Sequence, residues 1–234
     1  MLDSLFKSGR LLLESSVPPE SPAAEEPSAW LVSLLVVAFA VLAIATLKRF
    51  LQVLPYMADS YLRVRGSAAL EGSIRVSQDR NLVALVLTIP AVLLTYRYRL
   101  YDPSLLRDLD PNFRLAGIAI ALLAYTLVRH MVYLWVRPHH RVDIFRQAHR
   151  VAYTYFIFLM LLVLITVGVL SLAGIESTIV RYVIFAESGL VFILLLHRSS
   201  QILSLSCNRL RTFLYLCALE ILPAALLVVS AVVL

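Results

Sequence analysis

The chain has 234 residues, 60% of them hydrophobic and 15% charged, with a mean hydropathy of +0.84 and a formal net charge of +6. A soluble domain carries roughly 45–50% apolar and about 25% charged residues, so an ordinary soluble domain is excluded. The cations lie between long apolar runs, which ties the positive balance to membrane orientation and argues against nucleic-acid binding.

Residues 1–28 come first, with one short apolar patch at 11–13, then Glu20, Glu25 and Glu26 among four prolines. This reads as a flexible acidic segment without a secretory leader, so the first long apolar run is expected to act as an uncleaved anchor. Residues 29–234 form the second unit, an all-α polytopic membrane helix bundle of about six transmembrane helices. The bilayer core is ~30 Å thick and takes ~20 mostly apolar residues per helix.

The first span is predicted at 30–47, with Trp30 at one interface and Lys48 and Arg49 at the other. In the connection that follows, Tyr56, Met57, Tyr61 and Val64 recur at helical spacing beside Arg63 and Arg65. They fit either a short helix on the membrane surface or an irregular loop. The second span, 82–96, is short and contains Pro90, so its length leaves open whether it crosses fully. The others are predicted at 115–136, 151–172, 179–196 and 213–234. No internal repeat supports an inverted-repeat transporter.

One set of connections carries Lys48, Arg49, Arg63, Arg65, Arg75, Arg80, Arg137, Arg141, Arg146, Arg150, Arg198, Arg209 and Arg211. The other side carries only Lys7, Arg10, Arg97, Arg99, Arg107, Arg114 and Arg181. By the positive-inside rule the richer side faces the cytoplasm and both termini lie outside. Within the third connection, Arg137, Arg141, Arg146 and Arg150 are expected to attract anionic lipid headgroups, worth about 1 kcal/mol per cation near the surface.

Ionisable groups inside a bilayer cost at least ~2.5–3.5 kcal/mol each, which makes them the default functional candidates. Four qualify: Arg129, His130, Glu187 and Glu220. Arg129 lies ~10 Å and Glu220 ~12 Å from the cytoplasmic ends of their helices, so a shared layer and an ion pair are expected. Tyr125, Arg129 and Tyr133 recur every four residues and must face the bundle interior. Glu187 has no charged partner at its depth and is open to protonation.

No metal site or cofactor is implied. Cys207 and Cys217 have no ligand spacing and read as free thiols. The histidines lack a metal-binding pattern, and haem between His130 and His197 is disfavoured by their different depths. Hydrolase, nucleotide-binding and zinc-protease motifs are absent, which leans away from an enzyme.

The segment Leu214-Tyr215-Leu216-Cys217-Ala218-Leu219-Glu220-Ile221-Leu222-Pro223 closely resembles the terminal motif of a Bacteroidota membrane family catalogued as domain of unknown function number 4271. A looser resemblance extends over about residues 30–234, including Tyr153-Thr154-Tyr155-Phe156. It implies a multi-pass protein of the inner membrane and brings no activity with it. It points to Glu220, and to Pro223 as the site of a helix kink.

The expected function is a non-enzymatic envelope scaffold or assembly factor, with the bilayer and a membrane-protein partner as its contacts. The alternatives are a small proton- or ion-coupled transporter using Glu187 and Glu220, and a membrane enzyme acting at the cytoplasmic face. A water-accessible cavity reaching Glu220 favours transport. An exposed groove on a closed bundle favours a partner, and a converging His/Glu cluster favours catalysis.

Overall fold

The computed structural model describes residues 29–62, 74–107, 109–136, 142–204 and 208–233. The acidic segment 1–28 lies outside them. Among the described residues there is no strand, and six helices are long and apolar enough to cross a membrane. The chain is a multi-pass membrane protein with an all-α bundle.

The elements are α1 (Ala29–Leu62), α2 (Ile74–Arg97), the one-turn α3 (Ser104–Arg107), α4 (Pro111–Val136), α5 (Val142–Leu172) and α6 (Ser177–Ser204). The last span is α7 (Arg209–Leu216), a π turn (Cys217–Ile221) and α8 (Leu222–Val233), which follow one another without a break. Every long helix reaches beyond the apolar run that announces it, because hydropathy marks the hydrocarbon and not the end of the hydrogen-bond ladder. At 34 residues, α1 is ~51 Å long against a hydrocarbon core of ~30 Å. The stretch after Arg49 continues α1 through Pro55, and is neither a separate surface helix nor an irregular loop as far as Leu62. Val53 and Met57 are buried there with Val83, Ala84, Leu87, Ile157 and Met160, while Tyr56 stays exposed. Arg63, Val64 and Arg65 lie outside the described residues.

The short second span is a 24-residue helix, ~36 Å long and sufficient to cross. It has the lowest hydropathy of the six spans, yet 44% of its most apolar stretch is buried, against none of the corresponding stretch of α1. A helix wrapped by other helices need not present apolar side chains to lipid, which is why its run looked short. The packing order explains this. In the ring, α2 contacts α4 and α5, α5 contacts α6, α6 contacts α7, and the last span returns to α4. Outside the ring, α1 packs mainly on α2.

The joints follow local chemistry. Pro111 occupies the first position of α4, where no amide partner is lost. The α5–α6 turn uses Gly174 at φ +68, and the Ile175 amide reaches back to the Leu170 carbonyl at 3.1 Å, the hydrogen bonding of a left-handed helix stop. In the α2–α4 connection, Arg114 donates to Asp102 at 2.6 Å, and Tyr101 shares a hydrogen bond with Ser230 of α8 at 3.0 Å. One end of the bundle thus gathers the starts of α2, α5 and α7 with the ends of α4 and α6. It holds most of the cations among the described residues and forms the basic end of the bundle.

Candidate functional site

A layer of buried polar side chains crosses the ring inside its basic end. Arg80 and Arg198 each lie six residues (~9 Å) from a helix end, Arg129 and His149 seven (~10 Å), and Glu220 eleven (~16 Å). All five are more than nine-tenths buried.

At its centre, Arg129 of α4 meets Glu220 of the π turn. Nη2 donates to Oε1 at 2.6 Å and Nε to Oε2 at 3.3 Å, so both carboxylate oxygens are engaged. The same Nη2 donates to the His149 carbonyl of α5 at 3.1 Å. The two side chains are 7% and 3% exposed. The pair expected from depth is therefore present, with a third helix attached. Tyr133 is buried with Arg129 and Tyr125 is half-buried, so their shared face turns inward.

The backbone explains why Glu220 reaches this position. Pro223 has no amide to offer the Leu219 carbonyl, and its ring crowds that carbonyl. The turn ahead of it is widened, with the Leu222 amide bonding Cys217 five residues back. The irregularity tied to Pro223 is thus a π turn, a local geometry frequent at functional positions. Pro223 itself is buried.

Beside the pair, the His149 ring stacks on Tyr133 at 4.4 Å between centroids, with Tyr153 edge-on at 6.1 Å. Its Nδ1 is buried without a partner. His130 is exposed and lies 5.7 Å from His149, ring to ring, on the outer flank of the layer. Arg80 lies over the Tyr153 ring at 5.8 Å and donates to Asn81 at 3.0 Å and to Ser77 at 3.4 Å. On the α6 side, Arg198 donates to Gln201 at 2.9 Å.

Of the four arginines expected to hold lipid, Arg137 and Arg141 lie outside the described residues. Arg146 is exposed, and Arg150 donates to Ser77 at 3.0 Å, toward α2. Among the described residues no three His, Cys, Asp or Glu side chains could hold a metal ion. Cys217 is a half-buried free thiol, and Cys207 lies outside the described residues.

Glu187 stands apart from the layer, near the middle of α6. Thr166 of α5 donates to its Oε1 at 2.6 Å, and Oε2 is buried without a partner.

Hydropathy does not mark Arg80, His149 and Arg198 as buried groups, because each falls just past an apolar run and outside the predicted spans. His149 and Tyr153, four residues apart and in register with Phe145, carried the available signal: an inward helical face continuing beyond the hydrophobic stretch.

The arrangement ties helices together. With both oxygens of Glu220 held by a guanidinium, that carboxylate is not free to act as a base.

Compared with protein-family models, with curated proteins and with solved structures, the chain finds no match in any of the three.

Proposed function

We propose that the chain is a non-enzymatic scaffold or assembly factor of the inner membrane, with its basic end in the cytoplasm and both termini outside. One observation carries the reading: the central intramembrane charges are locked into each other, while the notable concavities open outward. An open groove of about 440 Å³ is lined by Phe185, Ala186, Gly189, Leu190, Ile193 and Leu194 of α6. A partner's transmembrane helix fits such a surface, since helix association in lipid relies on close van der Waals packing at small residues. A photoreactive side chain placed at Gly189 or Ile193 is expected to give a discrete protein adduct in native membranes. Adducts to lipid alone would remove the scaffold reading.

The asymmetric distribution of Lys and Arg and the resemblance at 214–223 support the orientation and the location. An introduced cysteine at Glu176 should react with an impermeant thiol reagent in intact spheroplasts, and one at Arg75 only after lysis. The reverse pattern would invert the topology.

A further inference from the structure

We infer that the groove between α3 and α4 binds one phospholipid at the end of the bundle opposite the basic end, with an acyl chain in the groove and the phosphodiester on Arg107. The open groove has a volume of about 270 Å³. Tyr101, Leu105 and Leu106 line one side of it, and Gly117, Ile120 and Ala121 the other. A Cβ at Gly117 would stand 2.5 Å from Leu106 Cδ2, so α3 lies directly on the α4 backbone there. Arg107 follows Leu106 in the chain and reaches Asp102, which stands between two residues that line the groove, Tyr101 and Pro103.

Depth sorts the site into a head and a tail. Arg114 lies three residues into α4, and Gly117 to Ala121 lie six to ten residues in, so the charged cluster is about one turn outward of the apolar wall. The hydrogen bond from Tyr101 to Ser230, three residues before the end of α8, places the connection at the rim of the bundle. Within the cluster, Asp102 gives one oxygen to Arg114 at 2.6 Å and the other to Arg107 at 3.8 Å. Arg114 also lies over the Tyr96 ring. The Asp102 side chain is 16% exposed against 65% for Arg107, so the surface turned outward is guanidinium. Arg97, Arg99 and Asp110 are exposed nearby in the chain, and between 97 and 114 the sequence carries four arginines and three aspartates. One phosphodiester offsets that surplus, and its paired oxygens match the fork of a guanidinium. The α4 wall of the groove is only ~6 Å long, whereas a helix with its side chains is ~10–12 Å across, so the groove takes an alkyl chain in preference to a helix. The inference does not rest on the scaffold reading, which uses the groove of α6.

Photolabelling of the full chain tests it. The protein, stripped of lipid in dodecyl maltoside, receives an equimolar amount of phosphatidylglycerol with a diazirine on one acyl chain, and adducts are mapped by peptide mass spectrometry. Leu105, Leu106, Ile120 and Ala121 should be labelled well above the similarly exposed Val228 and Val229 of α8. Diacylglycerol carrying the same diazirine should label the groove roughly tenfold less, the usual worth of one charge-assisted hydrogen bond. Arg107→Gln should lower phospholipid labelling of the groove as much, and Ala121→Phe, which fills the groove, should remove it. Neither change should alter labelling of α8. Equal labelling of the two surfaces would overturn the proposal. So would diacylglycerol that labelled the groove as strongly as the phospholipid, or Arg107→Gln protein labelled like wild type. A photoreactive side chain at Ile120 that crosslinked to a protein in native membranes, whether a second copy or another chain, would also overturn it.

Discussion

Substituting Gln for Glu220 is expected to remove about 3–5 kcal/mol of stability, the usual cost of stranding one partner of a buried ion pair. The amide keeps the shape of the carboxylate but offers one acceptor where Arg129 uses two, and it turns an NH₂ toward a guanidinium that can only donate. Solvent cannot soften the loss, since both side chains are almost fully enclosed. Removing both charges, with Arg129→Leu and Glu220→Leu together, should cost less than the sum of the two single changes. Groups in direct contact commonly couple by about 0.5–3 kcal/mol. Unfolding of the four proteins in one detergent closes the cycle. Strictly additive losses would mean that the contact contributes no coupling, leaving each residue to act through its own surroundings.

The second large effect is expected at Phe145, where Ala should cost about 3–5 kcal/mol and Leu less than about 1.5 kcal/mol. The ring is wholly buried and meets Tyr215 edge-on, with centroids 4.6 Å apart and planes at 83°. It fills the space between the start of α5, the end of α6 and Tyr215 of the last span, among Ala148, Val151, Ile202 and Leu203. Being only three residues into α5, it lies at the basic end, where unfolding exposes it to water and not to lipid, so the full transfer cost applies. Tyr215→Ala should cost less after Phe145→Ala than before it, because the edge contact is then already gone. Chemical denaturation of purified protein measures this, and a Phe145→Ala midpoint close to wild type would show that the surrounding helices collapse onto the gap.

These effects were unequally legible in the sequence. Arg129 and Glu220 stood out because each interrupts an apolar run, and a fixed rise per residue converted position into depth. Their contact needed no knowledge of helix order, only the cost of any other arrangement. The number of spans was legible for the same reason. Helix ends were not: the polar start of α2, Ile74 to Asn81, is helical because Ser77 and Arg80 are buried by neighbouring helices, and tertiary packing leaves no mark on hydropathy. Thr166 was invisible as a partner of Glu187 because a threonine within an apolar helix ordinarily bonds its own backbone. The π turn had half a signal in Pro223, which says that a carbonyl is lost but not how the preceding turn adapts.

The separation of the central pair along the chain sets a timetable for biogenesis. Arg129 precedes Glu220 by 91 residues. At roughly 5–20 residues per second, Arg129 is made roughly 5–18 s before its carboxylate, and α4 can enter the bilayer within that time. Once α4 is in the bilayer, and until Glu220 follows, the guanidinium carries the ~2.5–3.5 kcal/mol penalty of an unmatched charge. It is relieved only by whatever water and headgroups reach it from the basic end. Arrival of the last span ends this state by closing the ring and neutralising the charge in one event. An unfinished chain is thereby chemically distinct from a finished one, for it holds an unmatched guanidinium inside the bilayer until synthesis has passed Glu220.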